Sequence, residues 1–419
     1  MLLSIVVNWL FGLLVHRFRE HSRLTKTLIC IDVVFNLGLL FVFKYLGFTA
    51  SVIQNMTGMT LRIPQFALPI GISFFTFQAM SYVIDVYRQK GVVQTNILCV
   101  GLYISFFPQL IAGPIVRYET VADEILHRKE TAQDFFEGFA RFVVGLGKKV
   151  LLANAFGLLA DLVFNLSRDG AELSALTNWL GAIAYTFQIF FDFGGDSDMA
   201  IGLGRMFGFH FLENFDYPYI STSVSEFWRR WHISLGSWFR DYLYIPLGGN
   251  RVGKARNFLN LFVVWFATGL WHGANFTFIV WGLLYFVLLC VEKMVRPERW
   301  MGKPAIMCRW MYTMFFVIIG WVIFRAETME AGWAFLKSMF MLRGNPFTDG
   351  LFAGYFMQNL PLIVIGTLLS TPLFRCLKVK TEGYKLSAYI GTIGLFVIFL
   401  LSIAALVSNS YNPFIYFNF

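Results

Sequence analysis

"NFLNLFVVWFATGLWHGANFTFIVWGLLYFVLLCV" (residues 257–291) contains no acid, lysine or arginine, and its one histidine, His272, falls near the middle. A run this long and this apolar reads as two membrane-crossing helices, roughly 257–271 and 273–291. Its flanks orient it. Upstream, residues 226–256 hold Arg229, Arg230, Arg240, Arg251, Lys254 and Arg256 against Glu226 and Asp241; downstream, "EKMVRPERWMGK" (292–303) is also basic. Basic loops stay on the cytoplasmic side, so the pair must leave that side and return to it. His272 lies 16 residues beyond Arg256. That is about 24 Å along a straight helix, in a hydrocarbon slab about 30 Å thick.

The rest of the chain has the same character. Of its 419 residues, 57% are hydrophobic and 14% charged, where a soluble domain carries about 25% charged residues. Further spans are expected at roughly 1–16, 27–46, 66–86, 95–113, 135–165, 176–195, 306–325, 355–374 and 387–408. The expected fold is an all-α polytopic bundle of about ten or eleven crossings with re-entrant and interfacial pieces, in one domain over 1–419. The loops "HRFREHSRLTK" (16–26) and "CLKVKTEGYK" (376–385) join the basic cytoplasmic set. The net charge of +9 is thus a topology signal and not a nucleic-acid footprint. "MLLSIVVNWLFGLLVH" lacks the basic start and small-residue cleavage site of a signal peptide. The five cysteines are scattered singly, with no CxxC pair and no metal-ligand spacing, so no metal is expected.

Residues 185–282 hold most of the chemistry. "YTFQIFFDFGGDSDMAIGLGRMFGF" (185–209) sets Asp192, Asp196 and Asp198 beside Gly194 and Gly195 at the end of an apolar run. The glycines would permit a helix break there, tolerated where protein or water satisfies the backbone. The acids fit either a polar cavity wall or an ordinary interfacial loop. Next, Ser223 followed by Glu226 forms a capping box, so a helix should begin there. On it Trp228 and His232, four apart, would share a face, giving a basic, aromatic helix of the kind that lies at a membrane surface. Arg229 and Arg230 could hold a phosphate-bearing donor, or lipid headgroups.

His272 admits two readings: a packed structural histidine, or a general base. A neutral imidazole accepts a proton from a hydroxyl near pH 7; with a thioester held beside that hydroxyl, the result is acyl transfer. The chain has no G-x-S-x-G, HExxH or GxxxxGK[ST] pattern, which argues against serine-hydrolase, zinc-hydrolase and P-loop chemistry. His210 has no supporting pattern, and His16, His21 and His127 sit among loop charges. A transporter using the buried acids and His272 as a proton relay is the alternative of another class, although no internal repeat is visible.

"EFWRRWHISLGSWFRDYLYIPLGGNR" (226–251) and "TGLWHGANFTFIVWG" (268–282) resemble the membrane-bound O-acyltransferase family, in particular its bacterial alginate O-acetylation branch. "LPIGISFFTFQAMSYVIDVYR" (68–88), "FFPQLIAGPIVRY" (106–118), "ENFDYPYISTSVSEFW" (213–228) and "NPFIYFNF" (412–419) resemble the same branch. The resemblance implies a ring of tilted helices around a thin core, with funnels from both faces and a signature core over 185–291. It implies His272 as catalytic base and His232 as the second signature histidine, orienting or polarising the donor. Trp228, Arg229 and Arg230 would then meet coenzyme A, and Asp198, Glu226 and Asn275 would line the cavity. The implied donor is cytoplasmic acetyl-CoA and the implied acceptor an envelope polysaccharide, reached through an SGNH-type extracytoplasmic acetyltransferase. The implied setting is the lipids of the bacterial cytoplasmic membrane. D-alanyl transfer to teichoic acid is the alternative within the family. Family members usually carry a hydrophobic segment ahead of "LLSIVVNWLFGLLVHR", where this sequence starts, so an internal start or a shorter protein is expected.

Overall fold

The computed structural model describes residues 1–61, 63–64, 66–110, 112–296, 301–381, 383–408 and 411. The closing "NPFIYFNF" (412–419) and part of the loop 292–303 lie outside the described residues. The described residues form helices joined by short turns, with no strand. By contacts the chain divides into two compact units.

The first unit comprises Met1–Phe142, Met199–Glu213 and Arg240–Tyr242. It holds α1 (Leu2–Arg17), α2 (Ser22–Leu40), α3 (Leu46–Thr57), α4 (Ile72–Tyr87), α5 (Ile97–Ser105), α6 (Phe107–Leu110), α7 (Tyr118–Val121), α8 (Glu124–His127) and the start of α9 (Ala132–Gly147). A π-helical turn at Phe41–Tyr45 joins α2 to α3 without a break. Its core packs Tyr82, Tyr103 and Tyr118 edge to face, at 4.9 and 5.4 Å between centroids. The span expected at 95–113 is divided: α5 stops at Ser105, because Pro108 cannot supply the N–H that would continue the helix. His210 sits here, paired with Glu124 at 2.7 Å.

The second unit comprises Val143–Asp198, Asn214–Phe239 and Leu243–Phe419. After α9 comes a π-helical turn (Lys148–Ala153), then α10 (Asn154–Arg168), α11 (Ala175–Met206), α12 (Val224–Arg230), α13 (Ile233–Phe239), α14 (Lys254–His272), α15 (Phe276–Val295), α16 (Lys303–Arg325), α17 (Met329–Met339), α18 (Gly350–Leu369), α19 (Leu373–Lys380) and α20 (Lys385–Ser408). Side-chain oxygens of Ser223, Asn275, Thr328 and Asp349 cap the first turns of α12, α15, α17 and α18, satisfying donors that a helix start leaves open. The core is aromatic: Trp281, Trp321, Tyr285, Phe156, Phe191, Phe193 and Phe227 are almost fully buried.

Six helical stretches among the described residues are long and apolar enough to cross a membrane: Ser22–Thr57, Ala132–Arg168, Phe276–Val295, Lys303–Arg325, Gly350–Leu369 and Lys385–Ser408. Leu2–Arg17 is a shorter apolar helix. Several expected spans are less regular than their hydropathy suggests. The one at 66–86 is helical only from Ile72. α14 carries Lys254, Arg256, Asn257 and Asn260 in its first two turns.

Candidate functional site

The expected hairpin over 257–291 is present as α14 and α15. Two glycines let the helices touch: a Cβ on Gly269 would lie 2.5 Å from the Phe278 carbonyl oxygen, and one on Gly282 would lie 2.4 Å from that of Trp265. Close packing therefore excludes any side chain at either position. His272 is the last residue of α14, about 27 Å from Lys254 along the axis. Its imidazole meets three rings nearly edge to face: Trp271 and Trp281 at 5.0 Å and Phe324 at 5.1 Å. Only 6% of the residue is exposed. Asn275 shapes the turn below it. Its side-chain oxygen accepts from Thr277 N–H at 3.2 Å, and its Nδ2 donates to the Glu327 carbonyl at 2.8 Å. Asn275 is thus a cap and a tether between the α14–α15 turn and the end of α16.

The capping box at Ser223 forms as expected, the hydroxyl accepting from Glu226 N–H at 3.0 Å. The helix it starts behaves differently from the surface helix the sequence suggested. α12 spans only seven residues, and its first amides donate to Glu292 at the far end of α15: Val224 N–H at 2.6 Å and Ser225 N–H at 2.9 Å. From there α12 runs along α15. Trp228 meets Tyr285 at 4.7 Å and Trp281 at 5.4 Å. Trp281 is 11 residues before Glu292, about 16 Å along α15. The aromatic face of α12 is therefore buried inside the second unit, because Phe227, Trp228 and Trp231 find matching rings there.

His232 does not share a helical face with Trp228. α12 ends at Arg230, and His232 adopts a left-handed backbone with φ +46°, a conformation costly for any residue with a Cβ. The turn is held from outside. Ile233 N–H donates to the Asn214 carbonyl at 2.9 Å, and Asp216 N–H donates to the Arg230 carbonyl at 2.9 Å. His232 is 2% exposed and packs against Phe193 at 4.6 Å and Trp271 at 5.9 Å. Trp271 thus packs against both histidine rings.

The acids of α11 also differ from expectation. The helix runs unbroken through Gly194 and Gly195. A Cβ on Gly195 would meet the Gly145 carbonyl oxygen at 2.8 Å and the Lys149 amide nitrogen at 3.1 Å. The glycine thus serves close approach and not a break. That approach lets the π-turn present two lysines: Lys148 pairs with Asp198 at 2.6 Å, and Lys149 pairs with buried Asp192. Asp198 is therefore an ion-pair partner, with 14% of its side chain exposed.

The two arginines part company. Arg230 is committed to Glu226 at 3.0 Å and to Asp216 at 3.2 Å. Arg229 is exposed and reaches Ser225 Oγ at 3.3 Å. Burial pushes the Glu226 carboxyl up, but hydrogen bonds from Thr222 and Arg230 outweigh it and hold the group below its ordinary value of 4.5.

Residues 72–333 match the family model described as the membrane-bound O-acyltransferase family. The chain belongs to this family. Every candidate site residue of this O-acyltransferase family member falls within the matched region. The chain is 42% identical over 341 residues to a probable alginate O-acetylase of Pseudomonas aeruginosa, covering 80% of this chain and 64% of that protein. It is 36% identical to a probable alginate O-acetylase of Azotobacter vinelandii, over 99% of this chain and 89% of that one. It is 31% identical to a peptidoglycan O-acetyltransferase of Helicobacter pylori, over 99% of this chain and 86% of that one. The chain thus spans less than two thirds of the length of the P. aeruginosa relative.

Sequence reasoning missed several residues around the candidate site of this family member. Lys148 and Lys149 stand adjacent inside the expected span 135–165, a visible signal, since paired charges at membrane depth need acidic partners. Trp271, Trp281 and Phe324 gave no such signal, because aromatic residues fill the whole region. Asn214 and Glu292 act on a helix distant in sequence and could not be assigned to it from local pattern.

Proposed function

We propose that the chain is a membrane O-acetyltransferase of the bacterial cytoplasmic membrane. It moves acetyl from cytoplasmic acetyl-CoA towards an extracytoplasmic polysaccharide, with an SGNH-type partner completing the transfer. The observation that carries this reading is that two buried histidine rings, His232 and His272, both pack against Trp271. One lies in the turn that follows α12, the helix whose start is held at the basic-loop end of α15. The other is at the opposite end of the α14–α15 hairpin. A donor entering along α12 and an acceptor arriving at the hairpin turn would meet at these rings.

In this reading His272 is the base. The acceptor hydroxyl gives its proton to the imidazole as its oxygen bonds to the acyl carbon. The carbon–sulfur bond breaks, and the leaving thiolate takes that proton back, so charge and atoms balance. The aromatic walls exclude water that would otherwise hydrolyse the thioester. Arg229, exposed beside the α12 entrance, is the guanidinium available to coenzyme A phosphates, and Trp228 lines the way inward. Asp198, Glu226 and Asn275 hold the surrounding helices in place.

The test is a His272→Ala variant in nanodiscs, given acetyl-CoA and acceptor. Thiol release and polymer O-acetyl content should both fall by about 10²- to 10⁴-fold, the usual weight of a general base. Normal O-acetylation by the variant would end the assignment. If the wild-type protein moved polymer without consuming acetyl-CoA, it would be a transporter.

A further inference from the structure

Asn214 surrounds the strained turn at His232. Its carbonyl takes the Ile233 N–H. Its Oδ1 accepts from Ser234 N–H at 3.2 Å and from Ser234 Oγ–H at 2.8 Å, and lies 3.1 Å from His232 Nδ1. A backbone N–H can only donate, so the amide must present its oxygen on this side. Consistently, Nδ2 donates to Ser197 Oγ of α11 at 2.9 Å on the other. Ser234 Oγ also lies 3.3 Å from His232 Nδ1, but its single hydrogen goes to the nearer Asn214 Oδ1 at 2.8 Å; an amide oxygen can only accept, so His232 Nδ1 bears the hydrogen. A neutral imidazole protonated at Nδ1 has a bare lone pair at Nε2. That atom is buried and has no hydrogen-bond partner among the described residues. A buried acceptor left open is costly to the fold, and at a strained turn it points to a ligand.

We propose that Asn214 is a positioning residue that holds His232 as its Nδ1–H tautomer, so that Nε2 receives a hydrogen from a reactant. The inference rests on the acyl-transfer reading above and changes the part His232 plays in it. A bare Nε2 cannot polarise an acyl carbonyl, which needs a donor. It accepts instead, either from the acceptor hydroxyl or from an amide N–H on the pantetheine arm of the acyl donor. Ser234 and Ser197 complete the orientation, one on each side of the Asn214 amide.

The first measurement needs no variant. With ¹⁵N-labelled histidine in the full-length protein in nanodiscs, His232 should show a protonated Nδ1 and a bare Nε2, its signals assigned by their loss in His232→Gln. A bare Nδ1 would overturn the proposal. The second measurement compares Asn214→Leu, which keeps the volume and removes the acceptor, with Asn214→Asp, which keeps an acceptor. Asn214→Leu should lose the tautomer and about 10- to 100-fold in kcat/KM, as removal of an orienting partner does, while Asn214→Asp should retain both within about tenfold. A loss confined to KM for acetyl-CoA identifies the donor amide as the hydrogen source; a loss in kcat identifies the acceptor hydroxyl. Full activity in Asn214→Leu would refute the positioning role. A wild-type protein with the stated tautomer but no thiol release would instead refute the acyl-transfer reading.

Discussion

Replacing Lys149 by Met should be among the most damaging single changes outside the histidines. Lys149 and Asp192 pair with side chains only 6% and 2% exposed, and Asp196 lies one helical turn further along α11, at 9%. Losing the ammonium removes the paired charge from a buried carboxylate, which costs about 3–5 kcal/mol. The exposed pair Arg168–Glu327, at 3.1 Å with side chains 50% and 72% exposed, provides the contrast, since such pairs contribute at most about 1 kcal/mol. The assay is unfolding in mixed micelles by SDS titration, applied to Lys149→Met, Asp192→Leu, the double variant and Arg168→Met. The double variant should recover much of the loss, because apolar replacement of both members of a buried pair is often near neutral. The cycle then isolates the coupling. A coupling no larger than that of an exposed pair, below about 1 kcal/mol, would refute the claim that this contact closes α11 onto the π-turn.

Three further outcomes follow from the same geometry. Gly195→Ala should lower the unfolding midpoint by the equivalent of about 1–3 kcal/mol, since its methyl would press on backbone atoms of Gly145 and Lys149. Glu292→Ala should lose about 3 kcal/mol in the same titration, as two hydrogen bonds to a charged acceptor at the start of α12 disappear; acetyl transfer should fall with it, because α12 leads to His232. Glu226, held below its ordinary value of 4.5, contributes stability that is present above that value. The contribution is lost as pH falls through the depressed folded value, so in midpoint-against-pH curves Glu226→Gln should lower the neutral plateau and flatten the acid limb, the two proteins converging at low pH.

The sequence by itself determined the membrane class, the α14–α15 hairpin, the capping box at Ser223 and the motifs of the family. Each is written in a contiguous stretch: apolar length, a cap three residues from its glutamate, a run of motif residues. It also singled out His272, because one ionisable ring in an apolar run stands out without any knowledge of its neighbours. Only the tertiary structure decided what surrounds it. The Asn214–His232, Lys149–Asp192 and Lys148–Asp198 contacts join residues 18, 43 and 50 apart, and no local periodicity encodes such pairings. The helix expected to carry Trp228 and His232 on one face instead ends between them, because external hydrogen bonds accepted by Asn214 stabilise a left-handed turn that helix propensity alone would reject. The glycines of α11, legible as a break from composition, serve contact instead, since what a missing Cβ permits depends on what lies opposite.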